Sequence, residues 1–235
     1  MYSLARRLVA EALGSALLLA IVVGSGIMGE QLAGGNTAIA LLANSIATGA
    51  GLFVLIQLLG PISGAHFNPV VTLVMGWRQQ LSRADITAYM LAQICGAIAG
   101  VVMAHAMFDL PLLSTSTHIR SGAAQGLSEF VASFGLVAVI LGSQRHQPTQ
   151  TAAMVAAYIT AAYWFTASTS FANPAVTLAR SLSNSFAGIR PLDAPLFIIM
   201  QIGGALSASL LMQWLLIPAR AITNTHPAAD SRRES

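Results

Sequence analysis

Six stretches of the chain are each mainly apolar over about 20 residues, the length that a helix needs to cross a bilayer. This pattern limits the possible folds more than any other feature of the sequence. Only 8% of the residues are charged, whereas an ordinary soluble domain has roughly 25%, so a soluble globular fold is excluded. The sequence therefore predicts an all-α membrane protein with six transmembrane helices. The predicted spans are Leu8–Met28, Ala38–Leu59, Ile86–Met107, Gly122–Leu141, Thr151–Thr166 and Leu196–Ile217.

Two further apolar segments, Ala65–Met75 and Phe171–Leu182, are too short to cross a bilayer, and each contains an Asn-Pro pair. Irregular backbone at membrane depth is tolerated only inside protein or beside a wet cavity. We therefore expect two re-entrant half-helices, each of which enters and leaves the membrane on the same side. Asn is a good N-cap and Pro is favoured at the first helical position, so each half-helix should begin at its Asn-Pro pair.

The two halves of the chain repeat three motifs in the same order. The matching residues are Glu11 and Glu129, Asn68-Pro69-Val70 and Asn173-Pro174-Ala175, and Gln93 and Gln201. Three spans per half mean that the halves enter the membrane in opposite directions, which is an inverted repeat. We predict a single membrane channel domain over residues 1–235, with repeat A at about 4–110 and repeat B at about 121–218. Residues 223–235 are predicted to form a disordered cytoplasmic tail.

The arginines predict the orientation, because cytoplasmic segments of membrane proteins carry more positive charge. If both termini are cytoplasmic, eight arginines lie inside (Arg6, Arg7, Arg78, Arg83, Arg145, Arg220, Arg232, Arg233) and three lie outside (Arg120, Arg180, Arg190). The predicted location is thus the cell membrane, with both termini in the cytoplasm and the lipid bilayer as a partner. The arginines are scattered, so no nucleic-acid partner is predicted. A single cysteine excludes an intrachain disulfide and a cysteine-based metal cage, and no cofactor is predicted.

Two half-helix N-termini that meet in the membrane would concentrate positive partial charge there, which opposes cations but not neutral solutes. The side-chain amides of Asn68 and Asn173 could then donate hydrogen bonds to a passing solute. Glu11 and Glu129 are the only acids within the spans. They are either proton-coupling groups or structural carboxylates that accept hydrogen bonds from the backbone leading into each half-helix. We favour the structural role, because each repeat has a copy.

These residues resemble those of the major intrinsic proteins, the aquaporins and aquaglyceroporins. The resemblance rests on the segment from Ser63 to Thr72 (SGAHFNPVVT), the second motif at residues 173–175, and the paired Glu and Gln. It covers nearly the whole chain, from Leu8 to Ile217. The resemblance implies a right-handed bundle of six helices and two half-helices. It also implies a homotetramer with one pore per subunit.

Departures from the family pattern bear on the solute. Val70 replaces the usual Ala of the first motif, and Val176 stands where most members have the Arg of a narrow selectivity filter. The resemblance and the spacing from the motifs place the other filter positions at Thr48, Ala161 and Ser170. Small side chains at all four positions predict a wide filter without a fixed positive charge. Such a filter resembles that of a bacterial branch linked with arsenical and metalloid handling.

We therefore expect a passive channel for small neutral solutes such as arsenite or organoarsenicals, with glycerol, urea and water as further candidates. A water- or glycerol-facilitating aquaporin is the main alternative. A proton-coupled transporter and an intramembrane serine protease are remote alternatives. Ser63 misses the Gly-x-Ser-Gly spacing of such proteases by one residue, so an enzyme is not predicted.

Two charged or titratable residues near the motifs have two interpretations each. Arg180 lies one helical turn beyond Val176 and either places positive charge in the outer vestibule or reaches headgroups or a loop carbonyl. His66 is either a gate at the cytoplasmic mouth or a residue that holds the re-entrant loop. In both cases we favour the structural role.

Overall fold

The computed structural model describes residues 2–217, and within them the chain is helical apart from its connecting segments. The α-helices are α1 (Leu4–Leu32), α2 (Thr37–Ser63), α3 (Pro69–Trp77), α4 (Arg83–Met107), α5 (Ala123–His146), α6 (Thr151–Phe165), α7 (Pro174–Arg180) and α8 (Ala194–Leu215). Short 3-10 turns at Pro148–Gln150 and Pro191–Asp193 precede α6 and α8. The tail predicted at 223–235 lies outside the described residues.

The six predicted spans correspond to the six longer helices, α1, α2, α4, α5, α6 and α8. All of these except α6 are long and apolar enough to cross a membrane. Helix α6 has 15 residues and is about 22 Å long, which is less than the hydrocarbon thickness of about 30 Å. Several helices extend beyond the apolar stretch that predicts them, since α1 already includes Arg6 and Arg7. Hydropathy marks where a helix lies in lipid, whereas the helix itself ends where its backbone hydrogen bonds end.

Both short apolar segments form half-helices, but each helix begins later than its apolar segment. Helix α3 starts at Pro69 and α7 at Pro174, so that the proline occupies the first turn. The Oδ1 atom of Asn68 accepts a hydrogen bond from the amide of Val70 (3.0 Å), and Asn173 does the same for Ala175 (2.9 Å). The residues just before each asparagine have irregular backbone with positive φ at several non-glycine positions.

The two repeats pack their outer helices in the same way. Helix α1 lies against α4 in the first repeat, and α5 lies against α8 in the second. A Cβ atom at Gly96 would overlap the carbonyl oxygen of Ala12, and one at Gly204 would overlap that of Phe130. Glycine at these positions allows the helix backbones to approach closely, as helices in lipid require. This packing fixes the frame from which both half-helices reach inward.

Candidate pore and its lining

The two Asn-Pro motifs meet inside the bundle and hold each other through reciprocal hydrogen bonds. The Nδ2 atom of Asn68 donates to the carbonyl oxygen of Ala172 (2.7 Å), and that of Asn173 donates to the carbonyl oxygen of Phe67 (2.8 Å). Each side chain therefore caps its own half-helix with Oδ1 and fixes the opposite motif with Nδ2. An amide nitrogen carries two hydrogens, so each asparagine keeps a second donor. Both asparagines line the cavity described below.

A buried carboxylate supports the irregular backbone before the first half-helix. Glu11 is fully buried and accepts hydrogen bonds from the amides of His66 (3.0 Å) and Phe67 (2.7 Å). It also accepts from the Ser63 hydroxyl (2.6 Å) and from Nε2 of Gln93 (2.8 Å). Unsatisfied backbone amides at membrane depth are costly, and Glu11 supplies their acceptors.

The second repeat has the same arrangement. Glu129 is fully buried and accepts from the amides of Phe171 (2.9 Å) and Ala172 (2.8 Å) and from Nε2 of Gln201 (2.6 Å). Gln201 also donates to the Thr177 hydroxyl (2.9 Å), as Gln93 does to the Thr72 hydroxyl in the first repeat (2.8 Å). These contacts occupy both carboxylates with structural hydrogen bonds.

One cavity passes both motifs and extends from Arg180, at the end of α7, to Gln144, near the end of α5. Most of its lining is apolar, and its polar groups are few. Of the candidate site residues, the structure places the following on its wall: Thr48, His66, Asn68, Ser170, Asn173, Val176 and Arg180. Pro69, Val70, Pro174 and Ala175 are buried behind the wall, within the first turns of the half-helices.

Ala161 does not lie on the cavity wall, which corrects the filter position predicted for it. Its side chain is exposed on the outside of α6, and Tyr163 lines the cavity instead. The Tyr163 hydroxyl lies 3.1 Å from Oγ1 of Thr48, across the pore wall between α6 and α2. The position was predicted by counting back from Asn173 across residues 166–172, whose backbone is irregular, and such a count is not reliable there.

Arg180 fits one part of the favoured interpretation, the contact with a loop carbonyl, but it also lies on the cavity wall. Its side chain is only 2% exposed and lines the cavity, so it does not extend to a headgroup region. Its Nε atom donates to the carbonyl oxygen of Ala187, which is the loop contact that the sequence analysis considered. Its guanidinium carbon lies 3.4 Å from the ring centroid of Phe171. The cavity near Val176 is therefore neither lined by small residues alone nor free of positive charge.

His66 combines features of both interpretations that the sequence left open. Its Nδ1 atom lies 3.1 Å from Oγ1 of Thr72, and its backbone amide donates to Glu11. The ring is partly buried, lines the cavity and lies 5.5 Å from the ring of Tyr89. The side chain thus both holds the segment before α3 and faces the cavity.

Three residues at or near the cavity wall were missed by the sequence analysis: Tyr163 and Phe171, which line it, and Arg120, which lies beside Phe171. Arg120 lies in the loop before α5, and its guanidinium donates to the carbonyl oxygens of Gly188 (2.8 Å), Ser168 (3.2 Å) and Phe186 (3.4 Å). It lies 5.1 Å from the Phe171 ring centroid, so two guanidinium groups lie near the same ring.

The serine that raised the protease alternative has a structural partner. Ser63 donates its hydroxyl hydrogen to Glu11 and accepts a hydrogen bond from the amide of Ala65 (3.0 Å). His105 instead pairs through Nε2 with the hydroxyl of Ser183 (2.8 Å), in a different part of the fold. Among residues 2–217, no histidine is hydrogen-bonded to the Ser63 hydroxyl, and the carboxylate that accepts from it also accepts from the backbone before α3.

Comparisons with known proteins agree with this geometry. Residues 1–163 and 142–232 match the major intrinsic protein family. The chain is 59% identical to aquaglyceroporin AqpS of Rhizobium meliloti over 94% of either chain. It is 30% identical to aquaporin PIP2-7 of Arabidopsis thaliana over 60% of this chain and 53% of that one.

Among solved structures, the X-ray structure of the aquaglyceroporin from Plasmodium falciparum has the same fold. It superposes with a TM-score of 0.69, at 19% sequence identity, over 90% of this chain and 95% of that one. The all-helical membrane fold predicted from the sequence is thereby confirmed.

Proposed function

The chain belongs to the major intrinsic protein family, and on that premise we propose that it is a passive channel for small neutral solutes, with metalloid hydroxides such as arsenite as its main solutes. Membership makes it a multi-pass membrane protein of a channel family rather than an enzyme. The finer assignment rests on one observation. The cavity is continuous past both asparagines, and Val176 lines it where most family members have arginine.

The lining supports neutral solutes with several hydroxyl groups. Asn68 and Asn173 each keep a free amide hydrogen on the cavity wall, and Thr48, Tyr163 and Ser170 add hydroxyls. Arsenous acid is uncharged at neutral pH and carries three hydroxyls, so it can exchange hydrogen bonds with such a wall. The N-termini of α3 and α7 face each other at the motifs and oppose cations there.

We further propose that the end lined by Arg180 faces outward and that both termini are cytoplasmic, because of the arginine distribution. On family grounds we propose a homotetramer with one pore in each subunit. Large apolar side chains are exposed on α2 and α6, including Ile46, Val54 and Phe165, which is compatible with both lipid and subunit contacts.

A water- or glycerol-facilitating channel is a second candidate, and Tyr163 favours it. An aromatic side chain whose hydroxyl contacts Thr48 narrows the cavity beside Val176. A narrower filter would pass water and glycerol and retard larger solutes.

Light scattering of proteoliposomes tests both candidates. Shrinkage and reswelling rates would be compared for water, glycerol, urea and arsenite. In the Val176→Arg variant, the new side chain fills part of the cavity, and its charge repels that of Arg180 one turn away. We therefore expect arsenite flux to fall about tenfold or more while water flux persists. Val176→Leu adds bulk without charge and is the matched control. Water movement without arsenite or glycerol movement in the wild type would refute the metalloid assignment and support a water channel.

A further inference from the structure

Only part of the charged Arg180 guanidinium is hydrogen-bonded to the surrounding protein. Among the described residues, Nε is the only atom of its side chain with a hydrogen bond, to the carbonyl oxygen of Ala187. The side chain is buried and lines the cavity together with Val176, one helical turn earlier on α7. Its Nη groups therefore have donors available for a solute in the cavity.

The described structure also provides no close counter-ion for this charge. Within residues 2–217, no carboxylate lies within ion-pair distance of Arg180 or Arg120. The acids of the same repeat are Glu129 and Asp193. The Glu129 oxygens accept from two backbone amides and Gln201. Asp193 accepts from Arg190 and from the backbone amide of Arg120. A buried cation without a partner is unfavourable, so an anion in the cavity would lower the free energy of this site.

The connection between α4 and α5 is also affected by these arginine charges. His118 lies in the connection between α4 and α5, outside the transmembrane helices. Burial lowers the pKa of His118, the charges of Arg120 and Arg180 lower it further, and the charge of Glu30 raises it in part. Two cationic groups, Arg120 and Arg180, thus lie close enough to this loop to affect the titration of His118.

A second polar group at this end lacks a partner. Ser170 is 3% exposed and lines the same cavity, and its Oγ atom has no hydrogen-bond partner among the described residues. A buried hydroxyl without a partner is unusual and needs an explanation such as a bound solute. Thr48 and Tyr163 place two more hydroxyls on this part of the wall.

We propose that Arg180 and Ser170 form a solute site that binds the oxygen atoms of small oxyacids, so that the pore admits their monoanions and rejects cations. The inference rests on the proposed function, since it requires that the cavity is a solute pathway. Arg180 then supplies the positive charge that Val176 does not, from a position one turn along α7. Phe171 holds the guanidinium plane by stacking, and Ala187 fixes its Nε edge.

Proteoliposomes containing the full chain test the site with inorganic phosphate as the oxyanion probe. Uptake of radiolabelled phosphate would be measured at mildly acidic pH, where the monoanion predominates. Glycerol swelling and potassium leak would be measured on the same preparations. The variants are Arg180→Gln, which removes the charge, Arg180→Lys, which keeps it, and Ser170→Ala. Arg190→Gln is the control, because Arg190 does not line the cavity.

We expect wild-type vesicles to take up phosphate well above protein-free vesicles. Arg180→Gln should lower this uptake about tenfold and raise potassium leak, with glycerol swelling within about twofold. Arg180→Lys should retain most of the uptake, and Ser170→Ala should lower it about threefold. Arg190→Gln should behave as wild type.

Other results overturn the inference in distinguishable ways. Wild-type vesicles that pass glycerol or arsenite but not phosphate would refute the oxyanion site and leave the proposed channel intact. Vesicles that pass none of these solutes would refute the channel itself. Equal losses of phosphate and glycerol flux in Arg180→Gln would indicate a structural role. If that variant does not fold, unchanged phosphate uptake in Ser170→Ala would refute the site.

Discussion

The half-helices α3 and α7 follow one plan in their first turns and differ at their ends. Each starts at an Asn-Pro pair, is capped by its own asparagine and is fixed by the asparagine of the other. Seven residues after the asparagine, the first repeat has Met75 and the second has Arg180, and both side chains line the cavity. The first turns are thus shared, whereas the last turns place a neutral side chain on the cavity wall in one repeat and a cationic one in the other.

The residues just before each Asn-Pro motif also differ between the two repeats. His66 in the first repeat corresponds to Phe171 in the second, two residues before the asparagine. The Phe171 ring supports the guanidinium of Arg180, whereas His66 contacts Thr72 and Tyr89. The backbone supports are the same on both sides. Selectivity can therefore change at one end of the pore without a change in the scaffold.

The largest effect is expected from removing the carboxylates that the repeats share. Glu11→Leu and Glu129→Leu each leave at least three buried donors without an acceptor, at about 1–3 kcal/mol for each donor. We expect almost no folded protein from either variant, as measured by size-exclusion chromatography in detergent.

Glu11→Gln and Glu129→Gln are the controls, because glutamine keeps one acceptor oxygen. They should give intermediate yields, with transport by the folded fraction altered less than the yield. If Gln and Leu variants give equal yields, the hydrogen bonds to the carboxylates are not what stabilises the motifs. A normal yield of Glu11→Gln with transport that no longer depends on pH would restore the proton-coupling interpretation.

A smaller effect is expected from giving the first repeat the charge of the second. Met75 is 2% exposed, and the residue that corresponds to Phe171 in the first repeat is His66, whose ring contacts Thr72 and Tyr89. Met75→Arg should therefore cost about 3–5 kcal/mol of stability, seen as a lower thermal unfolding temperature. Met75→Gln is the control for size and polarity. If both variants lower the unfolding temperature equally, the contacts of Arg180 with Ala187 and Phe171 do not explain why its charge is tolerated.

The smallest effect is expected at the residue that distinguishes the two motifs themselves. Val70 is 1% exposed and occupies the place of Ala175 in the second repeat. Val70→Ala removes two buried methyl groups and should cost about 1–2 kcal/mol with solute flux close to wild type. The unfolding temperature and the glycerol swelling rate check this. Ala175→Gly serves as the comparison in the second repeat. A change of solute preference in Val70→Ala would show that this residue shapes the pore and not only the packing.

Most of the fold was predictable, because the constraints of lipid act locally and leave clear marks in the sequence. Length and hydropathy predicted the six spans, and the repeated motifs predicted the two half-helices. The helix ends were less predictable, since residues such as Arg6 and Arg7 remain helical beyond the apolar stretch. The reciprocal bonds from the asparagines to Phe67 and Ala172 depend on residues more than 100 positions apart, and no local pattern contains them.

The site was predictable near the motifs and less so away from them. Positions on the half-helices follow from helical periodicity, which is why Val176 and Arg180 were recognised as neighbours on one face. Tyr163 was missed because the connection from α6 to α7 is irregular, so the number of residues before Asn173 does not show which side of α6 faces the cavity. The burial of Arg180 was also missed, because the loop carbonyl and the ring that accommodate it come together only in the folded chain.

The reciprocal asparagine contacts also constrain the order in which the protein can be completed during synthesis. The ribosome adds about 5–20 residues per second, so Asn173 follows Asn68 by about 5–20 s. Throughout that interval the carbonyl of Phe67 and the amide of Asn68 lack the partners that they have in the finished chain. The first re-entrant segment therefore lacks these contacts until the second repeat is made, and the pore takes its final form only after Asn173 has been synthesised.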